Sequence, residues 1–330
     1  MRFLIIGGGS IGKRHIQNLK NLGFTDIFCL KRKTDTEFAG ENKVKVITDI
    51  SELENTSIDA VIVCTPTSLH NEGLKIAAEL KASVFMEKPL IHNHKGLIEA
   101  KKILNGFQQP FFIGFMLRFH PLVQKIASLL RDKYLGEVYS ARFEFGSYLP
   151  YWHPWEDYRD SYASQKQLGG GVINTITHEL DLIQYYFGDP LNMNCTKANL
   201  NRLHIEVEEI AEAVFDYENK IITLHIDFLQ KDYDRRIRIL CDEGSIEWNW
   251  HENKIVVKHH KKEAEYYPLD NFDVNQLYID ELKQFIQIIK NKTLHHPLDF
   301  DHAEKNTSLM LNMHEASEQK QTLAFKIQDI

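Results

Sequence analysis

"RFLIIGGGSIGKRH", residues 2–15, decides the fold. The run from Arg2 to Ile6 is almost wholly apolar and reads as a strand. It leads directly into Gly7-Gly8-Gly9-Ser10-Ile11-Gly12, which fits G-x-G-x-x-G and opens a helix predicted over 11–22 with Ile11, Leu19 and Leu22 inward. Strand, glycine turn and helix in that order form a cradle for a dinucleotide pyrophosphate. Gly7 permits the tight turn, Gly9 lets backbone approach the phosphates, and Gly12 lets the helix close on the strand. Ser10 and Ile11 begin the helix whose free N–H groups and partial positive charge face the anion.

The chain downstream repeats the unit. "IFCL" (27–30), "VKVI" (44–47), "AVIVC" (60–64), "SVFME" (83–87) and "PFFIGF" (110–115) are apolar throughout, as parallel strands covered on both faces are. Helical patterns over 70–82 and 93–105 lie between them, so the first third is expected to be a doubly wound parallel sheet. The second strand ends in Lys31-Arg32-Lys33, where an acidic residue for a ribose hydroxyl is usual. A basic cluster attracts a 2′-phosphate, and this favours NADP over NAD, with Lys31 or Arg32 on the phosphate; a solvated basic turn in an NAD enzyme is the other reading.

The pattern changes near residue 120. A helix is predicted over 121–133. "EVYSARFEFGSY" (137–148) and "IITLHIDF" (221–228) then alternate, the latter with Ile222, Leu224, Ile226 and Phe228 on one face. Turns are expected at Asn219-Lys220 and Glu243-Gly244, and two helices over 274–291 and 301–319. One-sided alternation implies an antiparallel sheet with a free face, suited to a subunit interface. The expectation is therefore an α/β chain of two domains: residues 1–120, a nucleotide-binding Rossmann domain, and 121–330, a domain for substrate and oligomerisation.

At 330 residues with 43% hydrophobic and 26% charged residues, the composition is that of a soluble globular protein. A net charge of −7 and no basic tail argue against nucleic-acid binding. No apolar run is long enough for a signal segment or a membrane span. Cys29, Cys64, Cys195 and Cys241 lack metal-type spacing, and no metal site is expected. A reduced, cytoplasmic protein is the resulting expectation.

A second motif, "LGGGVINTITHELDL" (168–182), carries polar groups after a glycine run. On one continuous helix Asn174, His178 and Asp181 would share a face at i, i+4 and i+7. The expectation is that this stripe forms the substrate-side wall of a site, with Asp181 orienting the His178 ring. An aromatic stretch, "SYLPYWHPWEDYRDSYASQKQ" (147–167), offers Trp152, Trp155, Tyr158, Arg159 and Tyr162 for stacking on a substrate or gripping an anion, or simply for packing over the sheet.

With the glycine fingerprint, "MEKPL" (86–90) and "GGGVINTITHELD" in this order, the chain resembles the glucose–fructose oxidoreductase / inositol dehydrogenase (Gfo/Idh/MocA) family over essentially its whole length. The resemblance implies a Rossmann domain followed by an α/β domain with a large, open, mostly antiparallel sheet. It also implies a nicotinamide cofactor, hydride transfer at a sugar or cyclitol carbon, and dimers or tetramers joined through that sheet. Lys88 matches the family's catalytic lysine, Glu87 a residue near the nicotinamide ribose, and Pro89 follows in a turn often cis. Thr65, Pro66, Thr67 and His70 match the loop along the cofactor. Arg118 matches a position near the substrate, His178 the catalytic histidine and Asp181 the aspartate one turn later. Asn174 departs from the family, in which the best-known sugar and inositol members have Asp. The aromatic stretch is similar to members acting on nucleotide sugars or acidic sugars.

Alcohol oxidation needs a hydride acceptor and a base. A lysine serves as base at neutral pH only where its surroundings disfavour the charge, as burial beside a positive nicotinamide does. Lys88 and His178 are expected to converge on one carbon. The leading expectation is thus an NAD(P)-dependent sugar oxidoreductase. A non-catalytic dinucleotide-binding sensor or assembly subunit, motivated by Asn174, is the second, and an enzyme that recycles a tightly held nucleotide the third.

Overall fold

Six apolar segments pair as one parallel sheet, and their burial explains why. The strands are β1 (Phe3–Ile6), β2 (Ile27–Leu30), β3 (Lys45–Ile47), β4 (Ala60–Val63), β5 (Ser83–Glu87) and β6 (Phe111–Gly114), in the order β3-β2-β1-β4-β5-β6. β1 and β4, at the centre, bury every residue, as strands covered on both faces must. The crossover helices are α1 (Ser10–Asn21), α2 (Thr36–Asn42), α3 (His70–Glu79) and α4 (His94–Leu104). The buried stripe of α1 runs through His15, Ile16 and Leu19, whereas Ile11 and Leu22 are half-buried, so the inward face is turned from the one expected. The computed structural model describes residues 1–54 and 56–327.

These residues divide into two units, one of Met1–Met116 with Val274–Thr307, the other of Leu117–Asp273 with Ser308–Ile327. The first division falls after Met116, and α8 (Asn275–Asn291) belongs with the N-terminal unit instead of the segment 121–330. Aromatic packing accounts for this: Phe285 of α8 meets Phe85 of β5 at 5.6 Å and Phe112 of β6 at 5.8 Å between ring centroids. Asn275 and Asn18 also exchange hydrogen bonds of 2.9 and 3.2 Å. Among the described residues no helix is long and apolar enough to cross a membrane.

In the second unit, α5 (Pro121–Arg131) precedes a nine-stranded sheet whose strands are β7 (Val138–Gly146), β8 (Asn192–Ala198), β9 (Ile210–Tyr217), β10 (Lys220–Asp227), β11 (Asp234–Cys241), β12 (Gly244–Asn249), β13 (Lys254–His259), β14 (Glu265–Pro268) and β15 (Leu323–Ala324). The order is β14-β13-β12-β11-β7-β10-β9-β8-β15, antiparallel except for β7 beside β10. Ile222, Leu224, Ile226 and Phe228 are all buried, as the alternation requires. Both hairpin turns fall one residue earlier than expected, because Lys220 pairs with Tyr217 and Gly244 with Cys241. Gly244 belongs to the strand: a side chain there would collide with the Lys258 carbonyl of β13. Two further helices, α6 (Val172–Thr175) and α7 (His178–Phe187), lie between β7 and β8, and α9 (Phe300–Gln319) precedes β15.

The sheet also holds a histidine whose ionisation is tied to folding. On β10, His225 bonds Asp227 at 3.0 Å and its cross-strand partner Glu212 at 2.6 Å. The bond to Asp227, aided by Glu212 against partial burial, pushes its pKa up to about 9. A pKa raised on folding gives stability that is complete below the unfolded value near 6.5 and lost as pH rises through about 9. The urea midpoint is therefore expected to fall between pH 7 and 10, and to fall less in His225→Gln; equal slopes for both proteins would dismiss the contribution.

Candidate active site

At the first βα turn the glycines do what their spacing predicts. Gly12 closes the turn: a side chain on it would strike the Gly7 carbonyl oxygen. A side chain on Gly9 would meet no protein atom within 4 Å, so the backbone there is open to a ligand. Gly9 is the N-cap of α1 and provides no side-chain cap, and the first turn, beginning Ser10-Ile11, holds no acidic residue. Bare N–H groups and an uncompensated helix dipole suit a phosphate. These residues fit a nicotinamide dinucleotide.

Beyond β2 the first residue of the basic cluster is paired and the other two are exposed. Lys31 is tied to Asp35 at 2.6 Å and lies 3.9 Å from the centre of the Phe38 ring. Asp35 also caps α2 by accepting from the Phe38 N–H at 2.9 Å. Its pKa is lowered, first by the Lys31 hydrogen bond. Arg32 is exposed.

After β4, Thr65 and Pro66 are half-buried and Thr67 is buried. His70, expected along the cofactor, is turned inward at 1% exposure. Its ring lies 3.0 Å from the Thr65 carbonyl and 3.1 Å from that of Leu90. Burial lowers its pKa, so the ring is neutral and has one N–H for the two carbonyls. It braces the loops after β4 and β5. The latter begins with half-buried Glu87 and Lys88, and the Lys88–Pro89 peptide is cis. Glu87 accepts from Nε2 of His15, on α1, at 2.7 Å.

In the second unit the continuous helix expected over Asn174–Asp181 is broken. α6 ends at Thr175, Ile176 leaves helical geometry at φ −98° and ψ 61°, and α7 restarts at His178. Three consecutive β-branched residues, Thr175, Ile176 and Thr177, explain the break, since their χ1 freedom is lost in a helix. Asn174 therefore does not belong to the His178–Asp181 stripe. Its amide donates to the Gly170 carbonyl at 2.9 Å, and its oxygen accepts from Nε2 of His314 at 2.9 Å. Lys197 donates to the other His314 nitrogen at 2.8 Å and pairs with Glu318 at 2.7 Å. An ammonium can only donate, so His314 carries its proton on Nε2 and an uncharged oxygen at 174 satisfies it. An amide suits this place because it donates to Gly170 while accepting from His314, whereas an ionised carboxylate could only accept.

α7 is clamped by two buried ion pairs. Both oxygens of Asp181 accept from Arg118, Oδ2 from Nε at 2.7 Å and Oδ1 from Nη2 at 2.8 Å. Glu179 accepts from Arg235 at 2.7 Å. Asp181 thus holds Arg118 instead of serving only as the orienter of His178, and Arg118, expected near substrate, is committed to α7. Its guanidinium also lies 4.0 Å from the Tyr185 ring centre. His178, 8% exposed, is the first residue of the helix so held.

The aromatic stretch packs more than it grips. Tyr158 donates to the Leu203 carbonyl at 2.9 Å, and Trp152 to Ser147 at 2.7 Å. Exposed Arg159 pairs with Asp157, and this bond holds the Asp157 pKa at about 2. The cavity between Trp152, Tyr158 and Tyr162 is about 20 Å³, room for one water and not for a sugar.

His15, Glu281, His314 and Lys197 escape a reading of motifs. His15 and Glu281 each leave a trace, a polar residue on the buried stripe of its helix.

A dinucleotide-binding Rossmann unit joined to a unit built on a large, mostly antiparallel sheet defines a two-domain oxidoreductase. The chain belongs to the Gfo/Idh/MocA family: residues 1–115 match its "Oxidoreductase family, NAD-binding Rossmann fold" model and residues 123–247 its C-terminal domain model. Myo-inositol 2-dehydrogenase of Thermotoga maritima is 26% identical over 322 residues, covering 88% of this chain and 89% of that protein. A 2,7-anhydro-N-acetylneuraminate hydratase of Mediterraneibacter gnavus is 26% identical over 264 residues, 78% of this chain and 64% of the relative. Levoglucosan dehydrogenase in complex with NADH shares the fold, with a TM-score of 0.87 at 16% identity over 99% of this chain and all of that one.

Proposed function

We propose that this oxidoreductase is an NAD-dependent dehydrogenase of an uncharged polyol or sugar, with Lys88 as base and His178 as substrate-binding and proton-passing group. The observation that carries the reading is the bond between His15 and Glu87. It ties the residue before Lys88 to the helix that cradles the phosphates. Gly7, Gly9, Ser10, Ile11 and Gly12 bind the pyrophosphate, and Thr65, Pro66 and Thr67 line the cofactor. When bound, the nicotinamide accepts the hydride. Lys88 takes the hydroxyl proton, and His178 holds the reacting oxygen and passes the proton on.

An uncharged substrate is favoured over an acidic or nucleotide sugar because Arg118 and Arg159, the candidate anion grips, are paired with Asp181 and Asp157. NAD is favoured over NADP because Asp35 neutralises Lys31, the first residue of the basic cluster that would meet a 2′-phosphate. The test is NADH formation across inositols, neutral sugars, uronic acids and a sialic acid, each with NAD and NADP. The reading expects kcat/KM highest for a neutral polyol or sugar with NAD. Preference for an acid, or for NADP, would reject that part. The hydratase relative favours a second reading, in which the nucleotide returns to its starting redox state within one turnover; substrate conversion without net NADH, by protein that co-purifies with nucleotide, would select it. The open sheet face carries Val214, Ile221 and Leu240 among charged residues and is the proposed contact of a homodimer or homotetramer, which a monomeric mass by light scattering would dismiss.

A further inference from the structure

Three titratable side chains from three elements meet at the end of β5: His15 of α1, Glu87 of β5 and Glu281 of α8, with their ligating atoms all within 4.8 Å of one another. His15 is 0% exposed and Glu281 1%. His15 donates to Glu87, and Oε2 of Glu281 is buried with no hydrogen-bond partner among the described residues. The surrounding groups are Tyr278, whose ring is 6.4 Å from that of His15, and Cys64. Burial, and then the charge of Glu87, push Tyr278 up to about 12 and Cys64 well above the ordinary thiol value. Arg14, the nearby cation, lies over the Tyr278 ring at 4.4 Å.

Two ionised carboxylates this close in a dry interior repel each other, and a single proton removes the conflict. It resides where solvation of the charge is poorest. We propose that Glu281 is a positioning residue carried as a neutral carboxylic acid, which leaves Glu87 as the one ionised acid of the cluster, bonded to His15, and so fixes the strand end that presents Lys88. Burial and the neighbouring Glu87 push the Glu281 pKa in the same direction, well above the carboxylate range. The effect on turnover rests on the proposed role of Lys88; the protonation itself does not.

Infrared difference spectra of the full-length protein at pH 7 test the protonation directly. The wild type shows the carbonyl band of a protonated carboxylic acid, and Glu281→Gln lacks it. In activity, Glu281→Gln keeps the pH profile of kcat/KM, because a neutral hydrogen-bonding side chain replaces another. Glu281→Met, equal in length but without polar atoms, lowers kcat/KM roughly 10- to 100-fold through misplacement of the base. No band, or a profile displaced in Glu281→Gln, overturns the proposal, as does a Glu281→Met enzyme equal to wild type. So does a divalent cation retained at one per chain in metal analysis and lost in Glu281→Gln, since a metal would then hold the charges. Survival of the band together with full turnover in Lys88→Ala would instead reject the assignment of the base.

Discussion

Lys88→Ala lowers kcat by about 10²- to 10⁴-fold, the usual contribution of a positioned general base, while NADH affinity measured by fluorescence titration changes little. The separation follows from where the interactions sit. In the proposed binding mode the phosphates lie on the open backbone at Gly9 and the uncapped start of α1, and neither involves the Lys88 side chain. The anchor at the strand end is Glu87 on His15, which the substitution leaves in place. Lys88→Arg is expected to be nearly as impaired, because a guanidinium is always charged and cannot accept a proton. Turnover of Lys88→Ala within a few-fold of wild type would remove the base from the proposed chemistry. Loss of NADH binding would show a cofactor role instead.

The parallel unit was legible because each of its signals is local. A four-residue apolar run bounded by turn residues can be buried on both faces only in a sheet with helices on either side. The predicted strands accordingly coincide with β1 to β6 to within a residue or two. What the sequence conceals is set by side chains that meet from distant segments. The pairing of Lys31 with Asp35 needs the turn into α2 to bring the two together, so three consecutive basic residues overstate the positive charge at that edge. The assignment of α8 to the first unit depends on Phe285 reaching Phe85, some 200 residues earlier. The helix stripe through Asn174 is interrupted for a local reason that periodicity does not capture, the β-branched run Thr175-Ile176-Thr177. The partner of Asn174, His314, lies 140 residues further on and follows no motif.

Arg118→Ala is expected to destabilise the protein by about 3–5 kcal/mol, the cost of leaving one member of a buried ion pair uncompensated. The geometry places this pair at the strong end. It is bidentate, at 2.7 and 2.8 Å, between side chains 9% and 0% exposed. Removing the guanidinium strands the Asp181 carboxylate in the interior and takes away the cation over Tyr185. Arg118→Lys recovers only part of the loss, because a single ammonium cannot reproduce two parallel bonds. Replacing both partners together, as Arg118→Met with Asp181→Leu, should cost far less than Arg118→Ala alone, since no charge is then left buried. Urea denaturation of the four proteins reads the order directly. The partner clamp, Glu179 with Arg235, stands about 200° away around α7 by helix geometry. A helix pinned on two sides holds its first residue, His178, in a fixed place, so the loosened Arg118→Ala helix should also lower kcat/KM. A loss under 1 kcal/mol would mean that water reaches the pair, and that α7 is fixed by its apolar contacts alone.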